Sequence, residues 1–240
     1  MRGELQLNTL VIDTSTSMEL IAARKGERVS DMTTPAERSH SATLFDLVRR
    51  ALEAVGLDVR EIELIGVGIG PGSFTGIRIS VSAARTLAQV LGVPLVGVPS
   101  ALLYAVSCGA QEGRHVLVAF DAKKDRVFGA LYEAAGPGGI PRTLMEPGDY
   151  EIGHLASGAR PDALCLGDGA LRYREHLTHA LPAHVMIESS RPSGADALDL
   201  VEALYRARPD EYRGYEHVLP LYARRSDAEI ILEKKKSGGA

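Results

Sequence analysis

Leu10-Val-Ile-Asp13 is echoed by Val118-Ala-Phe-Asp121, and Gly70-Pro-Gly72 by Gly167-Asp-Gly169. The first pair puts an acidic turn after an apolar strand. The second puts a glycine turn between a strand and a helix. Hydrophobic patterning repeats one order around these echoes. Residues 5–13, 18–24 and 27–32 read as strands, 41–55 as a helix closed by Gly56, and 64–68 as a buried strand. A helix over 75–91 closed by Gly92, a strand over 93–98 and a helix over 100–108 complete the first half. The second half offers strands at 115–121, 126–134 and 142–146, a helix at 151–157, a strand at 163–167, a helix at 170–180 and a strand at 185–187. Its last helix carries Ala197, Leu198, Val201, Leu204 and Tyr205 behind a capping box, Ser193-Gly-Ala-Asp196. The order βββαβαβα thus occurs twice, dividing the chain into lobes 1–110 and 111–240.

A doubled α/β order of this kind is the plan of the actin-like (ASKHA, RNase H-like) fold, with nucleotide held between acidic turns. On that plan Asp13, Thr14, Ser15, Gly72, Ser73 and Asp121 are the candidates for contacting a phosphate or magnesium ion. The competing reading is that Asp13 and its neighbouring hydroxyls only satisfy backbone amides in a tight turn. The glycine turn is neither of two familiar cradles. Gly76 is followed by Ile77-Arg78 rather than Lys-Ser/Thr, and the third glycine of a dinucleotide fingerprint is replaced by Ser73 or Thr75. Ser73 suits the N-cap of the helix that follows.

The net charge of −4 over 240 residues argues against binding nucleic acid through the whole surface. Two cysteines, Cys108 and Cys165, lack metal or redox spacing and suit a reducing compartment. No apolar run is long enough for a membrane span or signal peptide, so a cytoplasmic protein is expected. Residues 227–240, with Lys234-Lys-Lys236, read as a frayed basic tail.

Gly70-Pro-Gly-Ser-Phe-Thr-Gly-Ile-Arg78, together with Ile12-Asp-Thr-Ser15, His40-Ser41, Asp121-Ala122 and Pro220-Leu-Tyr-Ala-Arg224, resembles the TsaB (YeaZ) family. The likeness runs through nearly the whole chain and is most specific over 64–98. It implies the bacterial non-catalytic partner in making N6-threonylcarbamoyladenosine (t6A) on tRNA, paired with a TsaD-like catalytic subunit and joined by a TsaE-like ATPase. It implies no active site and no cofactor. TsaD-like proteins carry a metal-holding His-x-x-x-His pair beyond the strand at 93–98, and here Ser100 and Tyr104 stand at those places. There is no His-Glu-x-x-His either, which leaves a metallopeptidase as a distant alternative. An actin-like ATPase or kinase built on Asp13 and Asp121 is the nearer one.

The helices at 41–55 and 75–91 are apolar over more than one face needs. In the second, Ile77, Val81, Ala84, Leu87, Ala88 and Leu91 form one arc. Ile79, Ala83 and Val90 widen it to roughly 200° at about 100° per residue, leaving Arg78, Ser82, Arg85 and Gln89 polar. The surplus goes either to intrachain packing or to a partner. The partner reading nominates Leu44, Leu47, Val48, Ala51, Gly76, Ser80, Ala83, Ala84 and Leu87, the small residues allowing close helix approach. Ala84→Arg or Leu47→Glu is then expected to break pairing and leave the monomer folded. The same surface can pair two copies when the chain is alone. Direct tRNA contact rests only on Arg224, Arg225 and Lys234–Lys236.

Overall fold

The structure, a computed structural model, describes residues 6–36, 40–188 and 191–224. Arg225 and the basic tail lie outside these residues. Strands β1 (Thr9–Asp13), β2 (Met18–Lys25), β3 (Arg28–Asp31) and the two-residue β4 (Thr34–Pro35) precede helix α1 (His40–Val55). Then come β5 (Leu64–Gly68), α2 (Phe74–Leu91), β6 (Leu95–Val98) and α3 (Ser100–Val106). The second half runs β7 (His115–Asp121), β8 (Val127–Glu133), β9 (Arg142–Tyr150), α4 (Ile152–Ser157), β10 (Leu164–Leu166), α5 (Asp168–Arg172), α6 (Arg174–Ala180), β11 (Val185–Ile187) and α7 (Gly194–Ala207).

The first sheet has the order β3-β2-β1-β5-β6, with β4 on β2, and the second has β11-β10-β7-β8-β9. β1 pairs antiparallel with β2 and parallel with β5, just as β7 pairs antiparallel with β8 and parallel with β10. This is the actin-like plan expected from the doubled order. Three details differ. Pro35, between the segments read as a strand at 27–32 and a helix at 41–55, pairs with Met18 in β4, an edge position where a missing donor is tolerated. The helix expected over 170–180 is two, broken at Tyr173, where φ is −103° and ψ is 28°. The capping box of α7 is only half made. Ser193 Oγ accepts from Asp196 N, but Ser193 N donates to Ser107 Oγ.

Five layers result. α1 and α2 cover the outer face of the first sheet, packing Leu44, Val48, Ile77, Val81 and Ala84 onto Leu10, Ile12, Ile65 and Val67. α4, α5 and α6 cover the outer face of the second, around Leu117, Leu131 and Cys165. Between the sheets lie α3 and α7, and each crosses over: α3, ending the first half, meets β7 and β8, while α7, ending the second, lies on β1, β2 and β3. A buried ion pair fixes the second crossing, with Arg24 Nη1 of β2 donating to Glu202 Oε1 of α7 at 2.9 Å. No helix among the described residues is long and apolar enough to cross a membrane.

Candidate functional site

A cleft of about 350 Å³ opens between the lobes where the two acidic turns face each other, β1–β2 on one side and β7–β8 on the other. Of the six nominated cleft residues, Ser15, Gly72, Ser73 and Asp121 line it. Asp13 and Thr14 do not; both are buried behind it. The glycine loop puts them there. Ser73 N donates to Ser15 O at 2.7 Å, Thr14 Oγ1 donates to Gly76 O at 2.7 Å, and Asp13 Oδ1 accepts from Ser15 N at 2.8 Å. A methyl group on Gly68 would stand 2.0 Å from Asp13 Cγ, so the carboxylate is sealed by backbone on that side. Ser73 caps α2 as expected, accepting from Gly76 N.

Ser100, opening α3, and Tyr104, one turn further on, are buried and spend their hydroxyls on the same turn. Ser100 Oγ lies 2.6 Å from Ser15 Oγ and accepts from Gly70 N at 3.1 Å, while Tyr104 OH lies 3.0 Å from Thr16 Oγ1. Among the described residues no three His, Cys, Asp or Glu side chains converge as a metal site. Burial pushes the Asp13 carboxyl above its ordinary 3.8, outweighing the hydrogen bonds from Ser15 and Ser100 that pull it down. The folded state therefore holds this proton better than the unfolded chain. Its stabilising effect is complete below pH 3.8 and is lost as pH rises through the folded value. Asp13→Asn keeps an acceptor for Ser15 N. It is expected to be at least as stable as wild type at pH 7, with the difference shrinking toward pH 4 in urea titrations. A loss above about 1 kcal/mol at pH 7 would contradict the reading of this carboxyl as a turn-maker.

On the second wall, burial raises the Asp121 carboxyl, but bonds from Lys123 and the nearby Arg172 guanidinium bring it below the ordinary range. Asp121 Oδ2 lies 2.6 Å from Lys123 Nζ and 3.3 Å from Arg172 Nη1. Lys123 pairs with Asp121 while most of its side chain stays in solvent. Two contributors were not legible as site residues. Asp168, at the start of α5, accepts from Asp121 N at 3.1 Å. Arg224 closes one end of the cleft, donating to Ala122 O at 2.6 Å with its guanidinium 5.2 Å from the Phe128 ring centre. The sequence singled out Arg224 only within the Pro220–Arg224 motif and as a candidate for tRNA contact, not as a cleft residue.

The outer face of α1 and α2 is the other candidate. Leu44, Val48, Ala51, Gly76, Ser80, Ala83 and Ala84, nominated for a partner, are buried within the chain, and Leu47 and Leu87 are half-buried. Gly76 and Ser80 are small because the helix approaches the sheet there, Ser80 Oγ donating to Gly68 O at 3.3 Å. What stays in water is larger. Phe45 is 60% exposed and Val90 77% exposed, with Ile79 half-buried between the helices. Phe45, Ile79, Ser82, Ala83 and Thr86 line a shallow groove there.

A family model described as TsaD, tRNA N6-adenosine threonylcarbamoyltransferase, matches residues 33–140. An uncharacterized protein of Mycobacterium tuberculosis is 31% identical over 210 residues, 86% of this chain and 83% of its own. The tRNA threonylcarbamoyladenosine biosynthesis protein TsaB of Escherichia coli is 30% identical over 128 residues. YeaZ from Pseudomonas aeruginosa superposes with a TM-score of 0.76 at 26% identity, covering 90% of this chain and 99% of that one. The chain belongs to the TsaB (YeaZ) family. The sequence match to the E. coli TsaB covers 53% of this chain and 55% of that protein. The structural match to YeaZ extends through the second lobe as well, which the fold's paired sheets account for. Within the TsaB frame, Ser100 and Tyr104 are stitching residues between α3 and the β1 turn.

Proposed function

We propose that this chain serves t6A formation on tRNA as a non-catalytic subunit, docking on a TsaD-like catalytic subunit through the outer face of α1 and α2. A TsaE-like ATPase joins the pair. The observation that carries the reading is the face on which Phe45 and Val90 stand in water beside the half-buried Ile79, since large exposed apolar side chains on one face mark a surface that meets another protein. Alone, the chain can cover this face with a second copy. The burial of Asp13 and the internal use of Ser100 and Tyr104 support a role other than catalysis. The test is tRNA modification reconstituted from TsaD-like and TsaE-like proteins with and without this chain. The expected result is no threonylcarbamoyl transfer by the chain alone and loss of most activity when it is left out. Transfer by the isolated chain would end the reading.

One feature favours a second reading, an ATP-binding cleft: the opening between the lobes, with Asp121, Lys123 and Arg172 on its second wall. Calorimetric titration with ATP and magnesium separates the two. The scaffold reading expects no saturable heat, whereas tight binding abolished by Lys123→Ala would establish the cleft as a nucleotide site.

A further inference from the structure

α2 contains two basic residues, Arg78 and Arg85, and no acidic one. At about 100° per residue both fall on the same flank of the helix, beside the arc of the half-buried Ile79 and the exposed Ser82, Thr86 and Val90. The segment following α7 runs along that flank and braces both guanidinium groups. Arg85 lies 5.8 Å from the Tyr215 ring centre, with Glu216 close enough to feel its charge. Arg78 is held more closely. Its guanidinium stacks 3.8 Å over Phe74 and its Nε donates to Tyr222 OH at 2.8 Å, while the Phe74 and Tyr222 rings contact each other at 4.9 Å.

Arg78 makes no ion pair among the described residues, in contrast to the other flank of the face. There Arg49 of α1 is spent on both Asp46, at 2.6 Å, and Glu53, at 2.7 Å. A stacked guanidinium with Nε committed has already given up much of its rotational freedom. Its two terminal nitrogens still present the fork that matches a carboxylate. An oriented arginine at the rim of an apolar face is the arrangement that concentrates binding energy and partner choice at interfaces.

We propose that Arg78 is the charged anchor of the docking face, receiving a carboxylate from the TsaD-like partner and thereby selecting an acidic partner over a second copy of this chain. The inference rests on the docking role proposed above. A second copy would present the same two arginines of α2, and the acids of its α1 are already engaged by Arg49. Phe74 and Tyr222 are positioning residues for the anchor.

The test measures binding of the full chain to the TsaD-like subunit at several salt concentrations, alongside self-association by sedimentation. Arg78→Gln is expected to weaken heterologous pairing about tenfold or more and to flatten its salt dependence. Arg78→Lys should keep the salt slope and recover only part of the affinity, because a point charge does not replace the fork. Tyr222→Phe should cost a smaller factor through the same arginine. Self-association of Arg78→Gln should be unchanged or tighter. If wild type pairs and Arg78→Gln pairs equally well with the same salt slope, the anchor is overturned and the docking role survives. Equal weakening of both associations would make Arg78 structural and also overturn it. If wild type does not pair at all, the docking role falls and the anchor with it. Should Arg78→Gln misfold, Tyr222→Phe and the wild-type salt slope decide, and a flat slope counts against the proposal.

Discussion

Ala84→Arg is expected to leave no stably folded chain, whereas Phe45→Glu is expected to leave the fold intact and abolish pairing with the TsaD-like subunit. The two positions are on the same pair of helices and differ in what surrounds them. Ala84 is 0% exposed, packed in the core between α2 and the first sheet with Ile65, Val67 and Ala88. An arginine there would overfill the site and bury an unpaired guanidinium, a combined cost of about 5 kcal/mol or more. Against a total stability on the order of 5–15 kcal/mol, that removes most or all of the folded population. Thermal melts should show a midpoint lowered by at least about 10 °C, or no cooperative transition. The expectation drawn from the sequence, that this substitution uncouples a folded monomer, does not survive the burial of Ala84.

Phe45→Glu changes a side chain that is already 60% exposed, and stability should move by about 0.5–1 kcal/mol at most. If Phe45 is the apolar centre of the docking face, its loss should weaken heterologous pairing about a hundredfold. Co-elution with the TsaD-like subunit unaffected by Phe45→Glu would remove the docking face from this surface. A normally folded Ala84→Arg would show that α2 is not packed as described.

The contrast also shows what the sequence could convey. The order of elements along the chain and the doubled plan were legible because runs such as Leu10-Val-Ile12 and Leu64-Ile-Gly-Val67 have few alternatives to burial in a sheet. The crossing of α3 and α7 was not legible, since an amphipathic stripe states that a helix is covered and not by which sheet. On α2 the apolar arc was counted correctly but divided wrongly between inside and outside. Small residues were taken as room for a partner helix, yet Gly76 and Ser80 admit the chain's own β1 turn and β5. The large side chains at the margin of the arc, Val90 and Ile79, are the ones left facing outward. In the cleft, Ser15, Gly72, Ser73 and Asp121 came together because strand ends converge in this topology. Asp168 and Arg224 arrive from distant segments that no local pattern connects to the site.

Gly76→Ala, in the first turn of α2, should destabilise the chain by about 3 kcal/mol, although in an ordinary helix the same change gains about 1 kcal/mol. The reason is the neighbour. A methyl group at position 76 would stand 1.9 Å from the carbonyl oxygen of Thr14, a backbone atom that cannot rotate away. Relief requires α2 and the β1 turn to separate. That stretches the Thr14 Oγ1 bond to Gly76 O and the Ser73 N bond to Ser15 O, both 2.7 Å, and tilts the helix that carries Arg78 and Ile79. The melting midpoint should fall by about 6–12 °C, and pairing with the TsaD-like subunit should weaken with it. Gly109→Ala supplies the comparison. It adds a methyl group with nothing within 4 Å, so its cost is confined to the unfavourable φ of +66° and should stay near 1 kcal/mol. If Gly76→Ala proves no more costly than Gly109→Ala, the glycine loop is not wedged against the acidic turn, and Asp13 would have to be considered again as a residue open to the cleft.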